Sequence, residues 1–247
     1  MATAIAKKKD SVLAMFSDDR PDFLTDSDRG NEGVSADDIT IPRLGLIQSL
    51  SPQRKKSDPA YIEGAEEGLL FNTTTNELYG ADVLFVPVYY AKEYLIWKDR
   101  MEGGGFRGAF PDPASANQAL QALEDGDKCE ITETAQQYGL VIDPTDGSCE
   151  EIVMSMSRSQ LKTSRKLNTL IRMNNGDRFS RVYKIGSEET SGAKGDYYSY
   201  TVDNVGYVTK EIYDYAEQVY QAISSGQRSV SYEDDNEEKE VVGGEDF

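Results

Sequence analysis

"ADVLFVPVYYAKEYLIWKDR", residues 81–100, decides how the rest of the chain is read. Val, Ile, Tyr, Phe and Trp crowd it, the residue types that fit a pleated, half-buried surface. It is too long for one typical strand of about 5–6 residues, so two strands or one bent strand are expected. Pro87 marks a bulge or an edge, because proline cannot donate to a ladder. In a continuous strand Tyr90, Lys92, Tyr94 and Lys98 share one face, while Tyr89, Leu95 and Trp97 share the other.

On the N-terminal side, Leu69–Phe71 and Glu77–Tyr79 flank NTTTN, the pattern of a hairpin turn, and Thr40–Leu50 reads as an extended lead-in. On the C-terminal side, "EGGGFRGAF" (102–110) reads as a flexible loop and PASANQALQALED (113–125) as a short helix. Strands are expected over 128–134 and 138–142 and through "EIVMSMS", where Met154 and Met156 alternate with serines. "RVYKIGS" and "DYYSYTVDNVGYV" supply two or three more. "TKEIYDYAEQVYQAIS" (209–224) closes the domain as a helix, Thr209 its N-cap and Ile212, Ala216, Val219 and Ile223 its apolar stripe.

This order is mixed β with helices (α+β). It suits an OB-like antiparallel barrel with an inserted basic helix and a C-terminal helix, and an unrelated α+β sheet fits it as well. Three segments are expected: a disordered acidic arm over 1–38, the folded domain over 39–225, and a disordered acidic tail over 226–247.

The chain carries 26 Lys and Arg against 44 Asp and Glu, for a formal charge of −18. That charge is uneven. Residues 17–38 hold two basic and eight acidic side chains, and residues 229–247 hold Lys239 against eight acids. Residues 152–184 hold eight basic side chains against Asp177 alone. An acidic total hides a basic island.

There is no histidine, which removes Ser-His and Cys-His nucleophile pairs and the usual general base near neutral pH. Two cysteines, Cys129 and Cys149, are too few for a four-thiolate zinc site and are expected as free thiols. The carboxylates Asp143, Asp146, Glu150 and Glu151 form no metal motif. No enzyme, metal or cofactor is therefore expected. No apolar run reaches the length of a membrane span, and the N-terminus has no apolar segment behind its lysines, so a cytoplasmic protein of a bacterium or infected cell is expected.

The island centres on "SRSQLKTSRKLNTLIRM" (157–173). Wound as a helix, it places Arg158, Lys162, Arg165, Lys166 and Arg172 in one arc of about 120°, with Leu167, Leu170 and Ile171 on the docking side. A solvated face commonly mixes signs to gain i,i+4 pairs. A helix clean of acids in so acidic a chain points instead to an anionic ligand, with Arg178 and Arg181 just downstream. Aromatic residues beside basic ones add base stacking: Tyr94, Trp97, Lys98 and Arg100; Phe106 and Arg107; Tyr183; Tyr198 and Tyr200.

The last residues read "YEDDNEEKEVVGGEDF". They resemble the tails of bacterial and bacteriophage single-stranded-DNA-binding proteins, in which an acidic stretch ends in a terminal phenylalanine. Where the bacterial proteins usually place proline beside that phenylalanine, Asp246 stands here, which looks more like the phage type. The resemblance implies an OB-fold core that coats single strands without sequence preference in replication and recombination. It also implies a tail whose Glu245, Asp246 and Phe247 recruit replication partners and compete with DNA. Homo-oligomerisation is compatible with it. The alternatives are an acidic adaptor or DNA mimic that binds a basic protein, and a phage structural or assembly protein.

Overall fold

The computed structural model describes residues 29–34, 40–192 and 195–226. Two compact units divide the chain, Met1–Ser35 and Ala36–Phe247. Of the first, residues 29–34 form turns in which the Val34 amide donates to the Asn31 carbonyl at 2.9 Å. The elements below all belong to the second.

Residues 82–98 form a single strand. This strand, β4 (Asp82–Lys98), bends at one place instead of breaking. Pro87 pairs with Gly139 and Tyr89 with Tyr138, so Val88 is an extra residue in the ladder. A bulge of this kind puts two consecutive side chains on one face and inverts the alternation beyond it. Val83 and Phe85 accordingly pack into one core and Tyr90 joins that same core, while Leu84, Val86, Val88, Tyr89 and Ala91 pack into the other.

Around β4 the antiparallel sheet runs in the order β7-β6-β4-β8-β9. Its members are β6 (Cys129–Ile142), β7 (Cys149–Ser157), β8 (Arg181–Gly192) and β9 (Gly195–Tyr207). Along one side of β4, β6 pairs from Leu84 to Lys98. On the other side β8 pairs over Asp82–Phe85, and a short strand β5 (Phe106–Phe110) pairs over Tyr94–Trp97. Between these two neighbours, residues 86–93 face a notch in the sheet. A second sheet joins β1 (Leu44–Leu46), β2 (Leu70–Asn72) and β3 (Leu78–Gly80). The Asn72 side chain closes the NTTTN turn by accepting from the Thr74 and Thr75 amides at 2.8 and 3.0 Å.

Three α-helices complete the described residues: α1 (Pro113–Ala122), α2 (Leu161–Met173) and α3 (Lys210–Ser224). Helix α1 starts where Asp112 accepts from the Ala114 and Ser115 amides, with Pro113 in the first turn. Helix α2 and the small sheet cover one face of the large sheet. Leu44, Leu70 and the fully buried Leu167 meet Phe85, Met154, Met156 and Ile185 there. Helix α3 covers the opposite face with Ala216, Val219 and Ile223, and Thr209 caps its first turn by accepting from the Ile212 amide. Fully burying one such leucine or isoleucine contributes about 1.5–3 kcal/mol, which fixes both helices on the sheet.

The α+β class is as read from the sequence, but the large sheet is open. Strands β7 and β9 are its two ends, and no pair between them closes an OB-like barrel. Cys129–Ile142 form one strand in place of the two expected over 128–134 and 138–142. The expected loop over 102–110 is mostly strand, because hairpin pairing to β4 outweighs the low strand propensity of its glycines. Both cysteines are free and half-buried. No helix among the described residues is long and apolar enough to cross a membrane.

Candidate nucleic-acid interface

Helix α2 is docked by its apolar side and by a polar pin. The Gln137 amide, on β6, donates to the buried Ser164 hydroxyl at 2.8 Å. The opposite side carries Lys162, Arg165, Lys166 and Arg172, all exposed. Lys162, Arg165 and Arg172 form no ion pair among the described residues. Lys166 is partly engaged: its ammonium donates to the Val202 carbonyl of β9 at 2.7 Å and lies 3.9 Å from Asp203. Arg158 departs from the helical arc. It sits in a 3-10 turn before α2 with φ +52°, a backbone region sparsely used by residues other than glycine, and it pairs with Glu130.

The basic residues of the β4–β5 hairpin are neutralised locally. Lys98 and Arg107 converge on Asp125, at 2.9 and 3.3 Å. The Lys98 hydrogen bond foremost, with Arg107 adding to it, holds the Asp125 carboxyl below its usual range. Lys92 pairs with Glu133 and Lys128 with Glu102. Nothing is described of the Arg100 side chain. Trp97 and Phe106 pack on each other across the strands, ring centroids 5.2 Å apart, and Tyr94 stands half-buried opposite Phe110. Each described Lys and Arg of the hairpin thus has a carboxylate partner, Lys98 and Arg107 sharing one.

Two tyrosines expected to stack on bases are core residues. Tyr183 is 1% exposed and Tyr200 5% exposed, and Tyr200 donates its hydroxyl to the Leu44 carbonyl at 2.6 Å. Burial raises both phenols above their ordinary range. Tyr198 is half-buried and held through its backbone, which exchanges hydrogen bonds with the Gln48 side chain at 2.8 and 2.9 Å. Its ring lies against Gly68, where φ is +83° and a Cβ would meet the ring at 2.5 Å. None of these three offers a free face.

What the sequence missed lies at the C-terminal end of α2. The helix stops at Asn174, whose amide donates to the Ile171 carbonyl, and Asn175 follows with φ +44°, the left-handed stop that asparagine tolerates. The Asn174 side chain donates to the Leu170 carbonyl at 2.7 Å and accepts from Arg181 at 2.7 Å. Arg181 then lies 4.2 Å over the ring of Tyr207, which ends β9 and is 72% exposed. Met173, equally exposed, stands at the end of the same helix. Tyr207 looked like one more strand tyrosine in the sequence. Its position as the last residue of an edge strand was the available signal.

Arg178 is half-buried and has no carboxylate partner among the described residues. It donates to the Gln137 carbonyl oxygen and, at 2.8 Å, to that of Asn168, and its guanidinium lies 5.5 Å from the centre of the Tyr90 ring. Its Nε is buried without a hydrogen bond. Burial lowers its pKa to about 10, which still leaves it charged at neutral pH. Two clefts share Gly176 and Arg178 as a common wall. One, of about 600 Å³, adds Asn168, Ile171, Arg172 and Asn175. The other, of about 440 Å³, opens at the notch in β4 and is lined by Tyr89, Tyr90, Phe179, Glu217 and Tyr220 among others.

The carboxylates between residues 143 and 151 do not converge. Asp143 and Asp146 accept from the Thr145 and Ser148 amides in a turn. Glu150 takes hydrogen bonds from Tyr79 and Asn72, and Glu151 takes one from Tyr215. Glu245, Asp246 and Phe247 lie outside the described residues.

The segment that holds the open sheet and the docked basic helix matches a family of phage proteins. Residues 8–229, most of the chain, match the family described as Pam3 phage gp34-like protein, and the chain belongs to that family. No curated protein and no solved structure matches it.

Proposed function

We propose that this phage protein binds single-stranded DNA without sequence specificity, as a non-catalytic coating protein of replication or recombination in the infected cell. One observation carries the reading: α2 presents Lys162, Arg165 and Arg172 to solvent, without an ion pair among the described residues, in a chain of net charge −18. Unpaired cations aligned on a rigid helix attract phosphates and release counterions. Arg181 on the exposed ring of Tyr207 extends the row and adds a stacking platform. The reading does not depend on a closed OB-like barrel: it rests on the exposed cations of α2 and on Tyr207, and not on Tyr183, Tyr200 or the paired cations of the hairpin.

The acidic tail acts here as a tethered polyanion that competes for this row, with Glu245, Asp246 and Phe247 as its handle for replication proteins. An acidic adaptor or DNA mimic needs α2 as an internal salt-bridge face. Its three outer cations have no carboxylate partner among the described residues, which argues against that use.

The test is fluorescence anisotropy of a labelled oligo-dT at two salt concentrations, with the full chain and with a chain ending at Ser225. Affinity is expected to fall as salt rises, and to increase when the tail is removed. Absence of binding by both proteins at low salt refutes the proposal.

A further inference from the structure

Arg178 raises a question that the α2 row does not answer. A guanidinium taken out of water is costly unless an anion or a full set of hydrogen bonds compensates it. Here its acceptors are two neutral amide oxygens, and its Nε has none. The nearest acid in sequence, Asp177, lines the smaller cleft and forms no ion pair with Arg178; its carboxylate accepts from the Tyr213 hydroxyl of α3 at 2.5 Å. The larger cleft beside Arg178 contains a second arginine, Arg172, and the side-chain amides of Asn168 and Asn175, with no carboxylate among the described residues. Two guanidinium groups and two amides converging on a recess match the geometry of a phosphoryl group.

The smaller cleft has the complementary character. Tyr220 is 40% exposed and belongs to an aromatic group with Tyr89 and Phe179, at 6.2 and 6.0 Å between ring centroids. Glu217 and Gln221 flank Tyr220 on α3 and line the same recess, supplying an acceptor and an amide at its rim. A π-face with polar groups at its edge suits a nucleobase.

We propose that the two clefts together seat one nucleotide unit of a single strand. The phosphate lies between Arg172 and Arg178, and the base lies on Tyr220 at the notch of β4. This inference rests on the single-strand reading above and names the contact point within it. Arg178 is the wall between the two halves, so it orients the unit as well as binding it.

The probe is deoxyadenosine monophosphate, with adenosine and inorganic phosphate as separate arms, titrated into the full chain and followed by NMR. The mononucleotide is expected to bind more tightly than either fragment. Arg172→Gln is expected to weaken the mononucleotide and phosphate about tenfold and leave adenosine unchanged. Tyr220→Ala is expected to weaken the mononucleotide and adenosine about tenfold and leave phosphate unchanged. Both side chains are exposed, so both variants keep the test open if Arg178→Gln fails to fold. Equal affinities for all variants, or no mononucleotide binding while oligo-dT still binds, overturn the cleft assignment and leave the single-strand reading standing. Mononucleotide binding with this variant pattern, but no oligonucleotide binding, supports the cleft and overturns the single-strand reading.

Discussion

Replacing Lys162, Arg165 and Arg172 together by glutamine removes the three exposed cations of α2 that hold no ion pair among the described residues. For single strands, the logarithm of affinity falls with the logarithm of salt by about 0.7 for each phosphate neutralised. Three lost contacts therefore flatten the slope by about 2, which is roughly a hundredfold less change in affinity over a tenfold change in salt. A second triple variant, Lys98, Arg107 and Arg158 to glutamine, removes the same formal charge. Those residues already pair with Asp125 and Glu130, so the slope is expected to stay as in the parent. The assay is anisotropy of labelled oligo-dT across a salt series, with circular dichroism to check folding. Glutamine is nearly as good a helix former as lysine or arginine, and Leu167 docks α2 from its other side, so helix loss is not expected. Equal slopes for the parent and the α2 variant refute the reasoning, as does a larger loss in the hairpin variant.

Leu167→Ala leaves a cavity beneath α2 and is expected to cost about 2–5 kcal/mol, read as a lower urea midpoint. Tyr200, fully enclosed and hydrogen-bonded to Leu44, holds its proton above the ordinary phenol value of 10.0, as does Tyr138. Because the folded state raises these values, their stabilisation is intact below pH 10 and is lost as pH climbs through the folded values. Phenolate absorbance is therefore expected to rise in two phases, the second coinciding with loss of near-ultraviolet dichroism. Trp97 packs on Phe106 among paired charges, so its emission is expected to change little when oligo-dT binds, whereas strong quenching would move the interface to the hairpin.

Local pattern made much of this legible. Met154 and Met156 alternate with serines and are both fully buried on β7, and the four apolar residues of α3 face the sheet as their spacing requires. The leucines of α2 did the same. What the pattern missed depended on distant partners. Asp125 and Glu130 neutralise residues 18 to 28 positions away, a match that the local run of charges does not reveal. Tyr183 and Tyr200 read as stacking residues because a buried tyrosine usually needs a partner for its hydroxyl, and none is visible nearby in the sequence. The partners, Asn174 and Leu44, come from other elements. The insertion at Val88 was foreshadowed by Pro87, but which core each later side chain entered depended on the length of the inserted step.

Why α2 is free of acids has one structural answer and one functional answer, and the geometry separates them. Strand β9 ends the sheet, and an exposed strand edge invites wrong pairing unless something blunts it. Helix α2 does so: Thr163 donates to the Tyr200 carbonyl at 2.9 Å and Lys166 to the Val202 carbonyl at 2.7 Å. Carboxylates at 163 or 166 would face those carbonyl oxygens and repel them. Edge protection therefore accounts for two positions. It says nothing of Lys162, Arg165 and Arg172, which have no hydrogen bond or ion pair to β9, nor of Arg178, half-buried against neutral partners. An acid at position 162, 165 or 172 would gain pairing within the helix at no cost to β9. The proposed anionic ligand would account for its absence there, and the single-strand proposal rests on Lys162, Arg165 and Arg172.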